Sequence, residues 1–206
     1  MLYPINEIFY SIQGEGFHAG TPACFIRLAG CNLNCSWCDT DHSKKTNLTT
    51  EDVIQELYKL TDPKFIVITG GEPTIHRLEP LVEDLKGEFE DCFIAVETNG
   101  LKSEEILELR MENLIDWITV SPKQFNITTD HPISFYETIN HADEIKLVLD
   151  GTNNPDHMNI KSPFKIRTGR LFIQPCSEDF QPAIDYVLKN PQWRLSIQTQ
   201  KILGVR

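Results

Sequence analysis

The sequence predicts a single-domain α/β fold with a mainly parallel sheet, open or curled toward a barrel. Two observations predict it. Short apolar runs alternate with segments of helical spacing, which is the pattern of repeated βα units. Several runs, FIVIT and IKLVL among them, are apolar at consecutive positions, as strands buried on both faces are. The length of 206 residues suits one domain. No internal repeat, low-complexity tract or linker divides it, so residues 1–206 are read as one unit.

Taken in order, predicted strands cover residues 23–28, 65–69, 93–98, 117–120, 145–149, 171–174 and 195–198. Predicted helices lie between them. In residues 50–60, Val53, Ile54, Leu57 and Leu60 fall on one helical face, with Thr49 or Thr50 as N-cap. In residues 78–89, Leu78, Leu81, Val82 and Leu85 do the same. Residues 103–109 open with a serine and early glutamates, which suit the positive end of a helix dipole. Residues 179–190 form a fourth. Residues 126–141 read less clearly, and 153–163 read as loop. In such a sheet the functional loops lie beyond the strand C-termini.

Hydrophobic residues make up 40% and charged residues 24%, ordinary globular usage. With 19 Lys and Arg against 30 Asp and Glu, the net charge is −11. A field of that sign repels phosphate backbones and argues against a nucleic-acid partner. It leaves room for a small anion held by a local cation. No apolar run approaches the roughly 18 residues of a membrane span. The start, MLYPINEIFYSIQGEG, has no secretory pattern. Six cysteines are too sparse for a disulfide scaffold, and the expected setting is cytoplasmic.

Three of those cysteines cluster. GCNLNCSWCDT holds Cys31, Cys35 and Cys38 within eight residues, directly after the first predicted strand. A 4Fe–4S cluster takes four ligands, and this loop supplies three. One iron would then keep an open position, as catalytic metal sites do. The alternative from spacing alone is a structural zinc ion with His42 as fourth ligand. Cys24, Cys92 and Cys176 stand alone near strands and read as core residues, with a fourth cluster ligand among them as the other possibility.

The Cys-x3-Cys-x2-Cys spacing resembles that of the radical S-adenosylmethionine (SAM) superfamily. The resemblance implies a 4Fe–4S cluster on Cys31, Cys35 and Cys38, whose unique iron chelates SAM and from which a 5′-deoxyadenosyl radical forms. Trp37, just before the last cysteine, fits the aromatic position near the adenine. TGGEP, at the end of the strand at 65–69, resembles the motif for the SAM amine. That role falls on Gly71, with Gly70 and Glu72 shaping the loop. Two more predicted strands end in polar motifs, ETNG with Glu97, Thr98 and Asn99, and SPK with Ser121, Pro122 and Lys123. A parallel sheet brings such ends together. The SAM contacts implied are Trp37, Cys38, Asp39, Gly71, Glu97, Ser121, Pro122 and Lys123.

EIFYSIQGEG, Arg27 in FIRLAGCN, CDT after the last cysteine, and TGGEP, ETNG, SPK and IQTQK together resemble the 7-carboxy-7-deazaguanine synthase family over nearly the whole chain. The resemblance implies the modified radical SAM fold, a partial β/α barrel. It implies conversion of 6-carboxy-5,6,7,8-tetrahydropterin to 7-carboxy-7-deazaguanine with loss of ammonia, on the route to queuosine and other deazapurines. No side chain is then catalytic in its own right, because SAM carries the radical. The implied substrate contacts are Ile12, Gln13, Gly14 and Glu15 at the pterin edge, Arg27 at the carboxylate, Thr69, and the terminal carboxylate of Arg206. Thr40 is the implied magnesium ligand, an oxygen donor as that ion prefers. The partners implied are the pterin, an electron donor such as flavodoxin or ferredoxin, and a second copy of the chain. The family's histidine before the last lysine is here Gln200. Two rival readings remain at this point: an activase that makes a glycyl radical on another protein, and a non-enzymatic zinc-binding module.

Overall fold

The computed structural model describes residues 1–102, 104–123, 133–149, 169–176 and 178–206. Its elements run β1 (Leu2–Ile12), β2 (Pro22–Leu28), β3 (Thr46–Thr49), α1 (Thr50–Leu60), β4 (Phe65–Gly70), α2 (Glu79–Glu88) and β5 (Phe93–Thr98). They continue as α3 (Glu104–Met111), β6 (Trp117–Val120), α4 (Ile133–His141), β7 (Glu144–Leu149), β8 (Leu171–Pro175), α5 (Gln181–Lys189), β9 (Trp193–Leu195) and α6 (Thr199–Leu203). One sheet holds all the strands in the order β3-β1-β2-β4-β5-β6-β7-β8-β9. β1 is antiparallel to β2 and β3, and the rest are parallel neighbours. The predicted mainly parallel α/β sheet is therefore present.

The sheet is curled. In a flat sheet of this order β1 and β7 would be five strand spacings apart, about 24 Å. Yet Glu15, three residues past β1, meets Lys146 of β7 at 2.5 Å. Gly16 likewise donates its amide to Ser196, beyond β9, at 3.0 Å. The curl separates two faces. On the outer face the helices cover β-strand residues such as Ile26, Ile66, Ile68, Ile94 and Ile118 in the main core. On the inner face, Phe9, Phe25, Phe65, Val67, Ala95 and Trp117 form a second, smaller core.

Period-two alternation carries that inner face upward. Phe25 leads to Arg27, Val67 to Thr69, Ala95 to Glu97, and Trp117 to Thr119 and Ser121. The inside of the barrel is thus apolar below and polar at the rim where the parallel strands end.

Several predictions shift. β1 and β3 are strands that the periodicity did not show. The last strand lies at Trp193–Leu195, not 195–198, and the residues after it begin α6. The unclear stretch 126–141 contains α4. The loop reading of 153–163 and the Ser103 cap lie outside the described residues. α1 is capped by Thr49, whose side chain takes the Asp52 amide while the Asp52 carboxylate takes the Thr49 amide, a reciprocal capping box.

Candidate active site

A cavity of about 480 Å³ opens at the rim, within the usual range for small-ligand sites. It is built mainly from strand ends and the loops after them. β2 delivers Arg27 and then the cysteine loop. β4 delivers Thr69 and Gly71, β5 Glu97, β7 Lys146. The segment after β1 supplies residues 12–15 from across the curled sheet.

Cys31, Cys35 and Cys38 all line this cavity. The loop has internal order: the Cys38 amide donates to the Cys35 carbonyl at 3.1 Å, and the Leu33 amide to the Cys31 sulfur at 3.4 Å. Among the described residues no three Cys, His, Asp or Glu side chains close around one ion. The residues nevertheless fit an iron–sulfur cluster. They are three soft donors from a single loop facing a common space, with an amide already aimed at one sulfur. His42 also lines the cavity, and its carbonyl takes the Gly30 amide.

Gly71 is where the backbone comes close. A Cβ there would overlap the Gly30 carbonyl oxygen and lie 2.8 Å from the Cys31 Cβ. Glycine therefore lets the β4 end lie directly against the cysteine loop. Glu72 is buried and fully used. It takes the Thr74 hydroxyl and Thr98 hydroxyl, each at 2.7 Å, and the Asn99 amide at 2.6 Å. This clamps the ends of β4 and β5 together. Asn99 then reaches Asn32 in the cysteine loop at 2.8 Å.

Trp37 lines the cavity with the Lys123 ammonium 5.4 Å from its ring centroid, and Lys123 donates to Ser121 at 2.8 Å. Burial lowers the Lys123 pKa. Pro122 is buried but does not line the cavity. Asp39 is held from outside by Lys201 and by Gln198 at 3.1 Å. Burial acts to raise its pKa, but these donors outweigh it and the carboxyl is lowered. The Thr40 hydroxyl donates to Asp39 at 3.3 Å.

Arg27 is half-buried. Its Nε donates to Glu7 at 2.9 Å and its guanidinium lies 5.9 Å from the Phe9 ring centroid. The terminal nitrogens have no hydrogen-bond partner among the described residues, so the fork is left for a ligand. Arg206 brings its guanidinium to the other oxygen of Glu7 at 3.4 Å, and its main-chain oxygen accepts from the Ser11 hydroxyl.

Gln13 donates to Glu97 at 3.1 Å, and Thr69 donates to the other Glu97 oxygen at 3.3 Å. Glu15 accepts from Lys146, from Gln198 at 2.9 Å and from Gln200 at 3.1 Å. Ile12 and Gly14 line the wall beside them. A Cβ on Gly14 would strike the Gln200 amide.

Sequence reasoning missed Glu7, Lys146 and Gln198. Lys146 carried the same signal as Arg27, a charge inside an apolar run. Cys24 and Cys92 are core residues, their thiols pushed by burial up to about 11 and about 12. Cys176, also read as core, instead sits half-buried on the cavity wall.

A family model for the radical SAM superfamily matches residues 25–154, most of the chain. The 7-carboxy-7-deazaguanine synthase of Bacteroides thetaiotaomicron is 37% identical over 207 residues, covering all of both chains. This chain belongs to the 7-carboxy-7-deazaguanine synthase family. The Synechocystis synthase is 36% identical, over 99% of this chain and 94% of that one. The crystal structure of QueE from Escherichia coli superposes with a TM-score of 0.74 at 29% identity, covering 96% and 94% of the two chains. The likeness runs from end to end, which favours the synthase over an activase or a zinc module that shares only the cysteine loop. Membership in the superfamily implies a 4Fe–4S cluster, SAM, a small-molecule substrate and a reductant.

Proposed function

We propose that this cavity carries out the family's reaction with its residues divided into a SAM side and a substrate side. The reaction converts 6-carboxy-5,6,7,8-tetrahydropterin to 7-carboxy-7-deazaguanine with release of ammonia. The observation that carries the division is that the thiol loop and the free fork of Arg27 line one cavity.

Cys31, Cys35 and Cys38 would hold the cluster. When bound, the cluster and SAM supply the radical that removes hydrogen from the ring carbon bearing the carboxylate. On the SAM side, the backbone at Gly71 meets the amino-acid end, Trp37 flanks the adenine, and Cys38, Asp39, Ser121 and Lys123 complete the wall, with Pro122 fixing the turn beneath.

On the substrate side, Glu7 fixes Arg27 through Nε, and the two terminal nitrogens grip the substrate carboxylate in a bidentate pair. Residues 12–15 read the aminopyrimidinone edge. Glu97, a SAM contact by resemblance, bonds Gln13 and Thr69 of the substrate side, so we place it where the two sides meet. Thr40 offers a hydroxyl to magnesium beside the substrate carboxylate. Arg206, whose main-chain oxygen accepts from the Ser11 hydroxyl, lines the same cavity on the substrate side. We assign the electron to a donor such as flavodoxin or ferredoxin, the assembly to a homodimer, and the setting to the cytoplasm. Among the described residues no helix is long and apolar enough to cross a membrane.

Anaerobically reconstituted protein given reductant, SAM, magnesium and the carboxytetrahydropterin should yield the ring-contracted product by mass spectrometry. An intact cluster with no product overturns the reading. Arg27→Ala should keep the cluster and lose substrate affinity by about tenfold or more, the loss expected of a charge-assisted bidentate pair.

A further inference from the structure

Beneath the substrate side lies a buried cation that none of the site roles above uses. Lys146 projects from β7 into the floor of the cavity, with only 7% of its side chain exposed. Its ammonium meets Glu15 Oε2 at 2.5 Å and Glu97 Oε1 at 3.8 Å. These two carboxylates arrive from different elements, the segment after β1 and the end of β5. A buried ammonium is costly unless paired, so its retention here calls for a role.

We propose that Lys146 is a positioning residue for substrate recognition: its ammonium pins the Glu15 carboxylate, with Glu97 beside it, as an ionised acceptor for N–H groups of the aminopyrimidinone edge. This rests on the substrate reading above. Three observations support it. Glu15 has one oxygen on Lys146 and the other on the amides of Gln198 and Gln200, so its plane is fixed from both sides. Glu97 is fixed in the same way by Gln13 and Thr69. Burial acts to push the Glu15 carboxyl up, yet the Lys146 charge and hydrogen bond, with the two amides, hold it well below the usual carboxylate value. Burial acts on Lys146 in the opposite sense, and Glu15, Glu97 and Glu144 overcome it and raise its pKa.

The charged groups facing this pair are Glu97 on β5, Lys123 after β6, Glu144 on β7 and Asp39 in the cysteine loop. Without the ammonium, burial governs Glu15. With only the Gln198 and Gln200 amides left to oppose burial, its carboxyl titrates higher than in the wild type and, once protonated, ceases to be a full acceptor.

The test is calorimetric binding of the carboxytetrahydropterin to anaerobic, SAM-loaded holoenzyme across neutral and mildly acid pH, for wild type, Lys146→Met, Lys146→Arg and Glu15→Gln. Thermal unfolding checks each fold. Lys146→Met should bind about tenfold more weakly at neutral pH and lose more as pH falls, with Lys146→Arg recovering most of the loss. Lys146 also acts on Glu144, so the series is repeated on a Glu144→Gln background, which removes that titration from the profiles. On a Glu15→Gln background, Lys146→Met should add little; this neutral pair keeps the test open should Lys146→Met alone unfold. Wild-type affinity and a flat profile in Lys146→Met overturn the proposal, as does a full additional loss on the Glu15→Gln background. A wild-type enzyme that leaves the pterin unbound overturns the substrate reading itself, a distinct result.

Discussion

The side-chain amide of Asn99 donates to the Asn32 Oδ1 at 2.8 Å, joining the end of β5 to the loop that carries three cysteines. The cysteine loop is therefore tethered to the sheet by a side chain as well as by its own turns. A single neutral hydrogen bond of this kind contributes about 1 kcal/mol, or roughly fivefold in an equilibrium. Asn32→Ala should still assemble a cluster, because the thiols remain. Iron should leave to a chelator several-fold faster, followed by the loss of the visible charge-transfer band. An unchanged rate would show that the tether does not restrain the loop.

Gly71 allows no side chain against Gly30 and Cys31. Gly71→Ala must push the cysteine loop away from the end of β4. Far-ultraviolet circular dichroism should stay close to wild type, since the main core lies on the other face of the sheet. SAM affinity, measured by equilibrium dialysis, should fall by about tenfold or more, the scale of a core overpacked by one methyl group. Retained affinity would remove Gly71 from the SAM wall.

Glu144 sits on β7, accepts the Phe17 amide at 2.7 Å, and is 3% exposed. Burial pushes its carboxyl from 4.5 up to about 7, with Lys146 opposing. The folded protein thus binds a proton more tightly than the unfolded chain. Stability from this group is present below its ordinary carboxylate value and is lost as pH rises from there through about 7. Glu144→Gln, which can still accept from Phe17, should be insensitive over that window. Above it, the variant should be the more stable, by up to about 3 kcal/mol. Urea unfolding at a series of pH values checks this; parallel curves for the two proteins would refute it.

Thr40 presents a hydroxyl to the cavity, bonded at 3.3 Å to Asp39. If that oxygen ligates magnesium, Thr40→Ala should flatten the dependence of turnover on added magnesium, and Thr40→Ser should restore it. A steep magnesium response in Thr40→Ala would assign the ion elsewhere.

Much of this was legible in the sequence because it was written locally. β4, β5 and β6 are short, largely apolar runs, each followed by a polar motif, and β2 leads into the cysteine loop. β1 escaped notice because Pro4, Asn6 and Glu7 interrupt its alternation, and a shift of register between Ile5 and Glu7 breaks the period. β3 is four residues, TNLT, with little apolar content; it is a strand because β1 supplies its partners. α6 is too short for periodicity to register. Among site residues, the cysteines, Gly71 and Arg27 declare themselves by spacing or by contrast with their neighbours. The role of Lys146 depends on curl, which is a property of the whole sheet. No local pattern ties position 146 to position 15, and Gln198 is further still from its partner. Glu97 illustrates the same limit: its motif was visible, but its neighbours Gln13 and Thr69 became apparent only in three dimensions.

The bond between Gln198 and Glu15 spans 183 positions of chain. Such a contact is long-range in the chain and cannot form before both of its ends exist. During synthesis the chain emerges from its N-terminus onward at roughly 5–20 residues per second. The cysteine loop and its tether to Asn99 have all their residues once about half of the polypeptide has emerged. The floor around Glu15 has to wait for Gln198 and Gln200. The residues of the cysteine loop and its tether are therefore present in the emerging chain several seconds before those that complete the floor around Glu15.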